Sequence, residues 1–335
     1  MTVPTRRWPA PASARPAGTA ITRRRTAITL AGLSGLGIAL VGLAARYSST
    51  GTSWAIATAS MSVYLMLLAA PAAILLGFAR RWVLTALCAA VLTVDITAQA
   101  PLYRPAQARS TPVRLTVLTE NLRLGRADPS AVVASVRLHR VDVLMLEELT
   151  GPELVRLRHL GLDATLPFSR VLPEGGAAGV GLWSRYPLSD VNEPRQFTFG
   201  FISARVGAHA EDAGTTVAVL HLPGPWPQPA GPWSRDIHAL PAQLRSLVGP
   251  GVPAVVGGDF NATWDVAQFR GLLSGGWHDG AEQAGAGSTR TYPANTWLPP
   301  VLAIDHVLTY RAVATSARTV GNPGSDHRGL LVTMR

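Results

Sequence analysis

The sequence predicts an α+β chain: a two-layer β-sandwich with flanking helices, preceded by three membrane-spanning helices. Three observations point there. Apolar residues crowd into the first hundred positions as long runs almost without charge. From Val113 onward, many strand-like segments alternate with few helical ones, the pattern of a two-layer β core with helices outside it. Several of those strands also end on Asp, Asn, Glu or His, where a solvated end or turn cap would explain any single case.

Residues 1–25 are rich in Pro, Ala and Arg and read as a disordered tail. Within residues 26–100, Thr26 to Ala45 is the first apolar run and Trp54 to Ala79 the second. Trp82 to Ala100 is the third, interrupted only by Asp95. Each is long enough to cross ~30 Å of hydrocarbon at ~1.5 Å per residue. Trp54 and Trp82 stand at run ends, where indole rings prefer the interface. Thr22-Arg-Arg-Arg before the first run also has the form of a twin-arginine export signal, but two more runs downstream favour a retained anchor.

The formal charge of +10 divides unevenly: residues 1–110 hold eleven Arg and one acid, and the remainder balances to zero. A neutral globular part counts against nucleic acid as its main partner. Arg6, Arg7, Arg15 and Arg23 to Arg25 precede the first run, and Arg80-Arg81 separate the second from the third. The positive-inside rule puts both groups in the cytoplasm, so the third span delivers residues 113–335 outside. Residues 101–112 form a Pro-containing linker short enough to keep that domain beside the membrane. Cys88 is the only cysteine, so core packing and not disulfides must hold the exported domain.

The central stretch is Gly257-Gly-Asp259-Phe-Asn261-Ala. A buried strand, Val252 to Val256, precedes it, and a helix capped by Asp265 follows. Asp259 and Asn261 are two apart, which turns a carboxylate and a carboxamide to one side. A carboxylate can polarise water; a neutral amide can donate to a phosphoryl oxygen without repelling it. The other polar strand ends are Asn121, after Val113 to Thr119, and Glu148, after Val141 to Leu146. His221 ends Thr215 to Leu220, Asp305 opens Ala303 to Tyr310, and Ser325-Asp326-His327 precedes Gly329 to Met334. Six such places make a shared cleft more economical than six separate caps. Oxygen ligands of this kind suit a hard cation such as Mg²⁺. His139, His159, His209, His238 and His278 read as surface or supporting residues, and His306 as packing on the opposite face from Asp305.

Taken together, Thr-Glu-Asn121-Leu, Leu-Glu-Glu148-Leu, Val-Leu-His221-Leu-Pro, Gly-Gly-Asp259-Phe-Asn261, Ile-Asp305-His and Ser-Asp326-His327 resemble the endonuclease/exonuclease/phosphatase superfamily, whose fold is DNase I-like. With three spans in front, the chain more particularly resembles VanJ-type membrane proteins linked with teicoplanin resistance. One departure is visible: the family commonly has Gln-Glu where this chain has Glu147-Glu148. The resemblance implies that Glu148, with Asn121 and Asp326, holds Mg²⁺, or Mn²⁺ in its place, against a phosphoryl oxygen. It implies that Asp259 orients or deprotonates the attacking water and that Asn261 binds phosphate. His327, held by Asp305, and His221 would donate to the phosphoryl oxygens or the leaving group.

The setting suggests the substrate. A neutral catalytic domain tethered outside the membrane meets lipid head groups, and the expected function is hydrolysis of a lipid-linked (pyro)phosphate such as undecaprenyl diphosphate. A contribution to glycopeptide resistance would fit that reading. The alternatives are a phospholipase C or nuclease of the same superfamily, or a non-catalytic envelope protein binding lipid phosphate or antibiotic. The Pro-rich stretch after His221 carries Trp226 and Trp233, both expected to touch the interface or the substrate's chain.

Overall fold

The computed structural model describes residues 17–106, 114–207 and 214–334. Most of the expected disordered tail (1–16), the second half of the linker (107–112) and His209 lie outside the described residues.

Five helices make up the N-terminal part: α1 (Ala17–Tyr47), α2 (Ser53–Ser60), α3 (Ser62–Leu67), α4 (Ala69–Phe78) and α5 (Trp82–Gln99). Ala17 to Arg25, expected to be disordered, are the first turns of α1. Two helices are long and apolar enough to cross a bilayer, over Arg23–Tyr47 and Trp82–Tyr103. The second apolar run differs from the expected straight span: α2 meets α3–α4 at a 58° bend. The further break at Leu68 has a covalent cause, because Pro71 lacks an N–H and its ring crowds the carbonyl of Leu67. Leu36, Ala39, Met66, Ala72, Leu76 and Val91 pack α1, α3, α4 and α5 together. Leu30, Val41, Ile74, Val83 and Ile96 face outward, exposed. Small residues let the helices approach: a Cβ added at Gly42 would lie 2.7 Å from Leu65 Cβ.

Two six-stranded sheets follow. The first joins β1 (Leu115–Asn121), β2 (Val143–Glu147), β3 (Phe168–Leu172), β4 (Val180–Ser184), β11 (Ala314–Val320) and β12 (Gly329–Met334) in the order β11-β12-β1-β2-β4-β3. The second joins β5 (Leu188–Asn192), β6 (Phe201–Val206), β7 (Thr215–His221), β8 (Ala254–Asp259), β9 (Trp277–Asp279) and β10 (Asp305–Tyr310) as β5-β6-β7-β8-β10-β9. Val117, Met145, Val219, Val255, Val307 and Val332 fill the space between the sheets. Helices α6 (Pro129–Leu138), α7 (Gly151–His159) and α8 (Leu162–Thr165) cover the outer face of the first sheet. Helices α9 (Gly231–Ser246) and α10 (Ala267–Leu272) cover the second, and the short α11 (Gly280–Gln283) lies beside β10 and β11. This is the predicted sandwich. Because each sheet is covered on both faces, β8 is buried along its whole length and its sequence is apolar without alternation.

The N-terminal helices are docked on this sandwich. Arg46, at the end of α1, pairs with Asp265, which also accepts from Gln99 Nε2 at 2.7 Å. Asp265 is therefore not the helix cap its position suggested; the cap position of α10 belongs to Val266, which makes no side-chain cap bond. Arg270 donates to the Arg46 carbonyl at 2.6 Å, and Gln268 to that of Ser49 at 2.9 Å. The first residues of the expected linker are structured too. Ala100–Tyr103 form a 3-10 turn, and Leu102 O accepts from Gly287 N–H at 2.7 Å.

Candidate active site

Topology explains why the polar strand ends meet. In each sheet one central pair is parallel, β1–β2 and β7–β8, and the other neighbours are antiparallel. Parallel partners end together, which places Asn121 level with Glu147 and His221 level with Asp259. The antiparallel β10 starts where β8 ends, so Asp305 lies opposite Asp259. His327 precedes β12, the antiparallel neighbour of β1, at the same edge. A cavity of about 800 Å³ opens there, lined by Glu148, His221, Asp259, Asn261, Asp326 and His327 among others.

Backbone at this edge is specialised. Gly258 has φ 148°, and a Cβ there would run into the Leu220 carbonyl, so only glycine fits. Glu148 and Asn261 both adopt left-handed conformations, φ 56° and 48°. Such strain in non-glycine residues clusters at functional sites. Asn261 N–H donates to Asp259 Oδ1 at 2.8 Å, a local turn that steadies its conformation. Ser325 Oγ and Asn322 Nδ2 both donate to the Asn121 carbonyl, at 2.7 and 2.9 Å, and tie the His327 loop to the end of β1.

Asp259 stands at the centre. Its Oδ2 accepts from Asn121 Nδ2 at 3.1 Å and lies 3.7 Å from His327 Nε2 and 3.6 Å from His221 Nε2. His327 Nδ1 hydrogen-bonds Asp305 Oδ2 at 2.9 Å. Burial works against a charged His327, but Asp305 and Asp259 outweigh it and raise its pKa to about 10, making it an imidazolium between two carboxylates. Burial, then the adjacent Asp305, pushes the Asp259 carboxyl above the usual carboxylate range, in the direction that makes it a stronger base toward water. His221 donates from Nδ1 to the Ala177 carbonyl at 2.9 Å, and burial lowers its pKa to about 4. Its Nε2 therefore presents a lone pair to the cleft. Asn261 Nδ2 donates to Leu222 O at 2.8 Å, and its contact to His221 Nε2 is long, 3.5 Å, leaving one amide hydrogen for an anion.

A divalent cation fits the donor set. Around one imidazolium stand Glu148, Asp259, Asp305 and Asp326, and Asp305 Oδ1 is buried without a partner. A site with that excess of negative charge receives phosphate only if a cation reverses its field. Ligand atoms of Asp259, Asp305 and His327 lie within 4.8 Å of one another, but a cation among them would have to displace a proton of His327. Glu148 and Asp326 add two more carboxylates at the cavity. Glu148 accepts from Asn121 Nδ2 at 3.2 Å and Leu124 N–H at 2.6 Å, and Asp326 lies 3.8 Å from Arg123, so both are oriented oxygen donors that could hold a hard ion. Asn121 turns Nδ2, not Oδ1, toward Glu148 (3.2 Å) and Asp259, because its Oδ1 accepts from Arg123 N–H at 2.8 Å. As placed, Asn121 orients the carboxylates and is not a ligand.

The remaining candidates divide. Trp226 is 47% exposed and lines the cavity. Trp233 is fully buried in α9, its Nε1 donating to Phe260 O at 3.0 Å, so the expected contact with lipid or substrate does not hold for it. Glu147 is buried, accepts from Thr119 Oγ1 at 2.7 Å, and is held well above the usual carboxylate range by burial and by Asp305. A shift in that direction favours its neutral form, whose donor and acceptor match what the amide of glutamine would offer at this position. Two residues of the site carried no signal in the sequence. Tyr292 packs against His327 with ring centroids 4.9 Å apart and the planes tilted by 49°, and Phe199 lies 4.9 Å from His221. His306 packs against Phe269, as expected, but also hydrogen-bonds Asp279 at 2.6 Å and Ala262 O at 2.9 Å.

Residues 118–327, which contain every one of these strand ends, match the endonuclease/exonuclease/phosphatase family. The chain belongs to that family. No curated protein matches it significantly. Among solved structures, this family member is similar to D. rerio TDP2 complexed with single-strand DNA product: 16% identity and TM-score 0.55 over 66% of this chain and 99% of that one. It is similar to the Neisseria 3' phosphatase NExo bound to a product DNA hairpin, with 18% identity and TM-score 0.52 over 66% and 99%. A Bacteroides vulgatus endonuclease/exonuclease/phosphatase protein shares 18% identity, TM-score 0.51, over 67% and 99%. The likeness carries the fold, and the family membership carries the class: a hydrolase of phosphoester bonds.

Proposed function

We propose that the chain is a cation-dependent hydrolase of a lipid-linked phosphate or diphosphate on the outer face of a membrane. The observation that carries the catalytic part is the convergence of Glu148, His221, Asp259, Asn261 and His327 on one cavity. Water, polarised by Asp259, attacks phosphorus while Asn261 donates to a non-bridging oxygen. His327 gives its proton to the leaving oxygen, so that phosphate and an alcohol or a shorter phosphate result. A divalent ion held by Glu148 and Asp326, Mg²⁺ first and Mn²⁺ second, supplies charge stabilisation of the phosphoryl oxygens.

The membrane part rests on two apolar helices whose ends dock on the same domain and on the neutral charge of residues 111–335. Resemblance to the VanJ-type proteins supports a role in glycopeptide tolerance, with undecaprenyl diphosphate as an example of the substrate. The DNA complexes of the similar folds favour a nuclease as the second reading. The test is hydrolysis by the purified full chain of a polyprenyl diphosphate (read as phosphate release), a phospholipid (read as release of its phosphorylated head group) and DNA (read as strand cleavage), with EDTA and Asp259→Asn as controls. Release from the polyprenyl diphosphate, abolished by EDTA and restored by Mg²⁺, is expected. Turnover of DNA alone would move the chain to the nucleases, and hydrolysis of none would leave a binding protein.

A further inference from the structure

The active-site cavity is too large and too apolar for phosphate alone. Its volume of about 800 Å³ is that of a cleft which buries a drug-sized ligand. The catalytic residues occupy one wall. The other is built from Ile56, Ala57 and Met61 of the anchor, facing Phe199, Trp226 and Leu302. At Met61 the chain turns 58° away from α3–α4, so α2 leaves the line of that helix and lies over the cleft. It is held there firmly. Ser53 Oγ accepts from Ala230 N–H at 3.1 Å and donates to Gln228 O at 3.3 Å. Ile56 and Ala59 belong to the same apolar cluster as Trp233 and Leu240. Trp54, 70% exposed, lies against Trp226 with ring centroids 4.2 Å apart.

A helix serving only as a tether would have no reason to share the domain's core and border its catalytic cavity. Resting on the hydrolase reading and deepening it, we infer that α2 is a specificity element. The substrate is a phosphate or diphosphate ester of a single long apolar chain, which lies along α2 against the loop carrying Trp226 while the phosphate reaches Asp259. The α2 residues that border the cavity are Ile56, Ala57 and Ser60, so a single hydroxyl is all that α2 offers to the several polar atoms of a nucleotide base or a sugar. The wall is also one piece of chain with α3–α4, whose outer surface is apolar. A lipid chain can therefore remain in contact with apolar surface between the anchor and the site.

The test uses the wild-type full chain and dodecyl phosphate carrying a diazirine at mid-chain. After irradiation, adducts are expected on residues 54–61 and 223–232, displaced by excess unlabelled dodecyl phosphate. Adducts confined to the outward faces of α1 and α5 would overturn the inference. In parallel, Ala57→Trp should fill the channel and lower the ratio of kcat/KM on dodecyl phosphate to that on phenyl phosphate by ~10-fold. An unchanged ratio would count equally against it. Labelling needs no turnover, so the two readings fail separately. Adducts in the cleft without hydrolysis of any ester defeat the hydrolase, whereas hydrolysis with adducts elsewhere defeats only the role of α2.

Discussion

Asp259→Asn removes the carboxylate that lies between His221, at 3.6 Å, and His327, at 3.7 Å, but keeps an oxygen able to accept from Asn261 N–H. The fold should survive, and kcat should fall on the order of 10²–10⁴-fold, the range for losing a positioned general base. Circular dichroism and steady-state kinetics check both halves. Glu147→Gln makes the opposite prediction: because burial and Asp305 favour the neutral form of Glu147, activity should stay within about twofold of wild type and stability should not drop. The sequence showed Glu147 only as a departure from the family; what makes it tolerable is its burial and its partner Thr119, which spacing does not reveal. Glu120 gives a pH test. Both its oxygens are buried without partners, and burial raises its pKa from 4.5 to about 8. Since the unfolded chain releases this proton first, its contribution to stability is complete below pH 4.5 and is lost as pH rises through about 8. Tm of the wild type should therefore fall between pH 5 and 9 more than that of Glu120→Gln; parallel curves would show that Glu120 does not titrate in that window.

At the scale of elements, the strands legible in the sequence were the central ones. β1, β2, β7, β8, β10 and β12 are apolar along most of their length, and each is legible as an apolar run. β3, β5, β9 and β11 are not. They lie at sheet edges, with exposed residues such as Arg170, Asp190, His278 and Arg318, so no apolar run marks them. α9 was hidden by its own prolines: Gly231-Pro-Trp reads as a stiff loop, yet Pro232 sits in the first turn, where its missing N–H costs nothing. That error carried Trp233 to the surface in expectation and into the core in fact. The junction between anchor and domain was equally illegible, since Arg46 and Asp265 are 219 residues apart. Both are buried, and removing one leaves a charge without its partner. Asp265→Leu should destabilise the full chain by about 3–5 kcal/mol, and Arg46→Met with Asp265→Leu should recover most of the loss. Thermal unfolding of the two variants in detergent decides; equal losses would mean that the pair is held by its surroundings and not by its charges.

For the whole molecule, composition indicated an anchor and a neutral domain but not how the two meet, because the contacts are spread over loops with no shared pattern. The docked arrangement adds an argument about topology that charge alone could not supply. The end of α1 at Arg46, the start of α2 at Ser53 and the end of α5 at Gln99 all touch the sandwich. If the apolar helices span a bilayer, as proposed, these three points lie on one side of it and the Arg80-Arg81 turn between α4 and α5 lies on the other. α5, 18 residues long, spans ~27 Å at ~1.5 Å per residue, close to the thickness of the hydrocarbon. The positive-inside rule favours the arginine turn in the cytoplasm, and the proposed topology then has the active site facing outward. With Cys88 replaced by Ser, single cysteines at Ala79 and at the exposed Ser189 read this directly. A membrane-impermeant maleimide should label Ser189→Cys in intact cells and Ala79→Cys only after permeabilisation. The reverse pattern would put the catalytic cleft in the cytoplasm, where a lipid-linked phosphate of the outer leaflet cannot reach it, and the substrate assignment would have to be abandoned along with the topology.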